Sequence, residues 1–94
     1  MSDEKHKNQL QLHIDEATSK GVYSNFVIIS HSVMEVTADF AFVHATPARA
    51  KVESRVIMSP IQAKRLLRAL AENLRKYEES FGEIPTGNED PFLH

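Results

Sequence analysis

The sequence predicts an α+β fold: a four-stranded antiparallel meander followed by one long amphipathic helix (β-β-β-β-α), assembled into an oligomer. Three observations predict it. Apolar and polar residues alternate through four stretches ahead of residue 59, the period of a strand with one face in a core. From Ala63 to Phe81 the apolar residues recur at steps of three and four, the period of a helix with one buried stripe. The links between the alternating stretches are short, which favours neighbouring antiparallel strands.

Residues 1–8 are polar throughout and are expected to form a disordered N-terminus. Leu10, Leu12 and Ile14 then alternate with Gln11, His13 and Asp15, which predicts a first, half-buried strand. Thr18-Ser19-Lys20-Gly21 reads as a turn, with Gly21 free to take positive φ. The second strand runs from Val22 to Ser30, with Phe26 and Ile28 on one face and Tyr23, Val27 and Ile29 on the other. Both faces are apolar, so both are expected to be covered. After His31-Ser32 comes the third strand, with Met34, Val36, Ala38, Phe40 and Phe42 along one face. Thr46-Pro47-Ala48 interrupts it, because proline cannot donate to a ladder. Val52, Ser54, Val56 and Met58 alternate with Glu53, Arg55 and Ile57 as the fourth strand.

The helix has sequence signals at both ends. Ser59 suits the N-cap, Pro60 the first helical position, and Gln62 stands where a capping box places its partner. Ala63, Leu66, Leu67, Leu70, Leu74, Tyr77 and Phe81 form the stripe, and Gly82 follows as the terminator. Residues 9–84 thus read as a single domain, and residues 85–94 as a flexible acidic tail.

One helix covers one sheet face. Leu66, Leu67, Leu70, Leu74 and Tyr77 are expected to pack on Met34, Val36, Phe40 and Phe42. Tyr23, Val27, Ile29, Val43 and Ile57 would then remain on the opposite face or its edge. Burying an apolar side chain of this size stabilises by roughly 1.5–3 kcal/mol, against a net domain stability of ~5–15 kcal/mol. These five are therefore the candidate interface of a homo-oligomer, a dimer or higher.

With 94 residues the chain is long enough for one domain with a thin core. It contains no cysteine, which removes disulfides, thiolate zinc sites and a cysteine nucleophile together and fits a reducing compartment. The polar start, Met1-Ser2-Asp3-Glu4-Lys5-His6, has no apolar h-region, and no run reaches the ~18 apolar residues of a membrane span. A cytoplasmic protein without membrane association is expected.

The net charge of −2 conceals a division. The stretch from Arg49 to Lys76 is strongly basic, and the stretches on either side are acidic. Lys64, Arg65, Arg68, Arg75 and Lys76 fall off the apolar stripe and define a basic helix face, which reads as a solvated face or as the candidate site for an acidic partner or for the chain's own acidic tail. Nucleic acid is the less favoured partner, since no aromatic platform or recognition-helix signature accompanies the charges and the overall pI is about 6.2.

Candidate chemistry is sparse. His6, His13, His31, His44 and His94 show no metal-ligand spacing. Glu35 and Asp39 share a strand face about 13 Å apart, too far for two carboxylates to act on one bond. They read instead as cross-strand partners for a basic residue such as Arg55. No serine lies in a G-x-S-x-G elbow and no glycine-rich phosphate loop is present. No catalytic residue, metal or cofactor is expected, and the protein reads as non-enzymatic.

Certain runs resemble one family along the ordered part of the chain. They are Tyr23-Ser24-Asn25-Phe26, Glu35 with Asp39-Phe40, Arg55-Val56-Ile57-Met58-Ser59-Pro60, Tyr77-Glu78 and Phe81-Gly82-Glu83-Ile84. In these it is similar to the prokaryotic domain of unknown function 3467, a resemblance that implies no activity. In architecture alone, four strands and then a helix, it also resembles SecB-like export chaperones. The functional expectation is thus a small oligomeric binding or scaffolding protein. The alternatives are a SecB-like holdase and a nucleic-acid-associated accessory protein using the basic helix face.

Overall fold

The computed structural model describes residues 9–87. In chain order it contains α1 (Glu16–Ser19), β1 (Phe26–His31), β2 (Val36–Ala45), β3 (Ala48–Met58) and α2 (Pro60–Phe81). The expected N-terminal arm, residues 1–8, and residues 88–94 of the expected tail lie outside the described residues.

Among the described residues the sheet has three strands, not the expected four. They run antiparallel in the order β1-β2-β3. The expected first strand, from Leu10 to Ile14, has no regular structure, and Leu12 is 87% exposed. Its alternation is genuine, but a strand needs a neighbour to take its N–H and C=O groups, and none of the described residues does so. Directly after it the Asp15 carboxylate accepts the Thr18 N–H at 2.7 Å and starts the one-turn helix α1. Gly21, at φ +73°, then redirects the chain.

β1 begins at Phe26 rather than Val22 because side chains occupy the entry to the ladder. The Ser24 hydroxyl donates to the Ala41 carbonyl at 2.9 Å. The Asn25 amide donates to the Val43 carbonyl at 3.2 Å and accepts the Val43 N–H at 2.8 Å. That amide imitates a backbone pair and ends the regular ladder. At the other end of β1, the Ser32 hydroxyl accepts the N–H groups of Met34 and Glu35 at 3.3 and 3.2 Å. The expected start of the third strand at Met34 is thereby moved to Val36.

β2 and β3 form the long hairpin, joined at Thr46–Pro47, whose peptide bond is cis. β3 starts at Ala48, earlier than the expected Val52. The register shifts once: Phe40 faces Ser54 and Ala41 faces Val52, leaving Glu53 as the extra residue of a bulge.

Directly opposed residues share a face. Val27 faces Phe40, Ile29 faces Ala38, and Val56 and Met58 face Ala38 and Val36. One face is therefore apolar along most of its length. On the other, Ile28 faces Asp39 and Ile57 faces Thr37, so apolar and polar residues are mixed. The core of the described chain consists of two small side chains in β2, Ala38 at 2% and Ala41 at 0% exposure.

α2 starts and stops where the sequence places it. The Ser59 hydroxyl accepts the Gln62 N–H at 3.1 Å, and Pro60 occupies the first turn. Gly82, at φ +98°, closes the helix with its N–H on the Glu78 carbonyl at 2.9 Å. The Glu78 carboxylate turns back to accept the Ile84 N–H at 2.9 Å.

The expected packing of α2 on the sheet is absent. Leu67 is 65% exposed, Phe81 75% and Met34 76%. Extensive contact between elements is confined to the neighbouring strands. Only Ser59, in extended conformation, separates β3 from α2. A one-residue link gives a helix of 22 residues, about 33 Å long, no slack to fold back across the strand it follows. Replacing Ser59→Ala removes the cap and should lower stability by about 1 kcal/mol, read as a drop in the urea midpoint at unchanged slope.

Candidate interaction surface

The five residues expected to form one apolar interface divide between two faces. Val27 and Ile29 lie opposite Phe40 and Ala38, on the apolar face. Tyr23 belongs with them through Phe42, its ring centroid 6.0 Å away. Val43 and Ile57 lie on the mixed face, Val43 facing Ala50 and Ile57 facing Thr37. The expected patch therefore has to be corrected. The β1–β2 register puts Val27 and Ile29 beside Val36 and Phe40 rather than behind them, a consequence of the period of two.

Two apolar surfaces result. The first is the sheet face of Val27, Ile29, Val36, Phe40, Val56 and Met58. The second is the α2 stripe, Leu66, Leu67, Leu70, Leu74, Tyr77 and Phe81, every member at least 43% exposed. Tyr77 and Phe81 hold each other in a tilted pair with centroids 4.9 Å apart. This stripe was legible as a core stripe. Sequence reasoning missed that nothing among the described residues covers it.

Charged groups are arranged around these surfaces. Asp39 and Arg55 face each other and form a two-pronged ion pair, Nε to Oδ1 at 2.6 Å and Nη2 to Oδ2 at 3.0 Å. This is the cross-strand pairing expected of Asp39, and Arg55 takes Asp39 rather than Glu35. The Arg55 hydrogen bonds hold the Asp39 carboxyl below its ordinary range. Of the basic helix residues, Arg75 is bound by Glu72 at 2.6 Å and by Glu79. Lys64, Arg65, Arg68 and Lys76 complete the face opposite the stripe. A second basic group closes the far end of the hairpin. There His44, Arg49, Ala50 and Lys51 line an open depression of about 350 Å³, and His44 stacks edge-on against Phe42 at 4.8 Å. Such a concavity suits a carboxylate or another anion.

The candidate metal ligands stand apart. His31 faces Val36 at one end of β2 and His44 faces Arg49 at the other, about 26 Å apart along the strand. His13 lies in the irregular segment ahead of α1. Among the described residues no three His, Asp or Glu side chains gather to hold a metal ion. None of the described helices is long and apolar enough to cross a membrane.

These features define a class: a small α+β domain of antiparallel sheet and C-terminal helix, many of whose described large apolar side chains are uncovered. The chain belongs to a family of proteins of unknown function, DUF3467, which matches residues 1–86. No curated protein and no solved structure matches it.

The runs behind that resemblance have identifiable structural duties. Ser24 and Asn25 lock β1 to β2, Asp39 and Arg55 lock β2 to β3, Ser59-Pro60 starts α2 and Gly82 ends it. Because the Asp39 carboxyl is depressed in the folded state, its stabilising effect is complete above the ordinary carboxylate range and is lost as pH falls below that range through the lowered folded value. In urea unfolding at pH 7 and pH 3, Asp39→Asn should be less stable than the parent at neutral pH and should lose less on acidification.

Proposed function

We propose that the protein is a non-enzymatic binding or scaffolding module that works as a homo-oligomer. One observation carries this reading: the described residues present an apolar sheet face and an apolar helix stripe, and among them only Ala38 and Ala41 are fully buried. A patch of this extent is unusual on a monomer and marks an interaction surface. The simplest partner that suits both surfaces is another copy, because symmetry lets the stripe of each chain cover the sheet of the other. The basic faces at Lys64, Arg65 and Arg68 and at His44, Arg49 and Lys51 would then remain outside the assembly, available to an acidic protein partner.

A second reading, a holdase, is favoured by the mixed face. Ile28, Val52 and Ile57 stay exposed there even if the apolar face is covered by a copy, and could grip an unfolded segment. Suppression of a denatured client's aggregation at stoichiometric amounts would support it. For the basic helix face, nucleic-acid binding is the weakest of the three, since two acids already engage Arg75. A salt-sensitive RNA or DNA gel shift would favour it.

The assembly is tested by charge insertion. Leu70→Asp and Ile29→Asp should each lower the mass found by light scattering at micromolar concentration. Lys64→Asp, on the opposite side of α2, should leave that mass unchanged. Unchanged mass for all three would contradict the reading.

A further inference from the structure

The two edges of the sheet differ. The outer edge of β3 is protected in the ways sheets ordinarily avoid pairing: it carries Arg49, Lys51, Glu53 and Arg55, and the bulge at Glu53 breaks its register. β1, Phe-Val-Ile-Ile-Ser-His, has no Lys, Arg, Asp or Glu, no proline, no glycine and no bulge.

Which backbone groups β1 leaves open follows from its register. The Ser32 N–H donates to the Glu35 carbonyl at 2.9 Å. Hydrogen-bonded pairs alternate along an antiparallel ladder, so Ser30–Thr37 and Ile28–Asp39 exchange bonds inward. Val27, Ile29 and His31 therefore turn their N–H and C=O groups outward, away from β2. β1 thus shows three donors and three acceptors beside exposed Val27 and Ile29.

The same chain carries a strand without a ladder. Residues 9–15, Gln-Leu-Gln-Leu-His-Ile-Asp, alternate without proline or glycine. Among the described residues none of 9–14 makes a backbone hydrogen bond to the sheet. The segment nearly matches the six residues of β1 in length. Within one chain, α1 takes the place of a turn that would return it to β1, and Leu10, Leu12 and Ile14 stay in solvent.

We propose that residues 9–15 of each copy form the fourth strand of a second copy's sheet, hydrogen-bonded to the β1 edge and centred on Leu12 beside Ile29. In that position Leu10, Leu12 and Ile14 extend the apolar face of Val27, Ile29, Val36 and Phe40, and Gln9, Gln11 and His13 fall with the mixed face. Backbone bonds supply the affinity, and the alternate side chains fix the register. Reciprocal exchange makes the contact two-fold and closed. The inference rests on the oligomeric reading above and names its contact.

The absence of cysteine allows a clean test. Chains carrying Leu12→Cys are mixed and refolded with chains carrying Ile29→Cys, then oxidised, and bridges are mapped by mass spectrometry. Neighbouring strands place Cα atoms about 5.5 Å apart, within disulfide reach. The expected result is bridging of about half of the chains, the share that random pairing of equal amounts places in mixed pairs, and background bridging when Val52→Cys replaces Ile29→Cys. Both substituted sites are exposed, so folding is not at risk. Assembly by light scattering without the bridge overturns strand exchange and leaves the oligomeric reading standing. Bridges that form equally with Val52→Cys overturn it too, as does a bridge within one chain when both substitutions are combined. A monomer at micromolar concentration overturns both.

Discussion

The constraint on which this structure depends is how little one chain buries. Two alanines in β2 are fully buried, and neither carries enough apolar surface to offset the entropy of ordering three strands and a helix. Among the described residues, every large apolar side chain that could make up the difference stands partly or wholly in water. The local architecture is nevertheless well determined, by side-chain caps, cross-strand pairs and one bulge. The described residues are thus locally specified and globally unfinished, and contact between copies is the term proposed to complete them.

That contrast explains what was legible in the sequence. The helix was fully legible, because its determinants are local: the Ser59 cap, Pro60, the stripe and Gly82 act over a few residues. The faces of β1 and β2 were legible within each strand but not between strands. Alternation fixes which residues share a side of one strand and says nothing of which neighbour's side they join. The pairing of Val27 with Phe40 therefore split the expected patch of Tyr23, Val27, Ile29, Val43 and Ile57. The boundaries moved for chemical reasons. Asn25 and Ser32 satisfy backbone groups with their side chains and so shorten the ladders that periodicity alone would extend.

The fourth strand is the instructive failure. Leu10, Leu12 and Ile14 carry the strand period, yet no described residue of the chain gives them a ladder. The helix stripe fails in the same way, since it is read correctly as apolar and has no sheet beneath it. A sequence pattern records that a face is to be buried without recording whose chain buries it. Both discrepancies have one physical cause in this account, and both disappear if the burying surface belongs to a second copy. The family run Tyr23-Ser24-Asn25-Phe26 fits the same picture, because it anchors the end of the edge strand that would receive the partner.

If folding and association are one event, stability must follow mass action: anything that binds the folded state, a second copy included, makes the melting temperature depend on concentration. The most direct measurement is thermal unfolding followed by circular dichroism over a hundredfold range of chain concentration. A midpoint that climbs steadily with concentration is the result this account predicts. A sharp, cooperative transition at one temperature across the whole range would contradict it, because a single chain would then hold all it needs to fold.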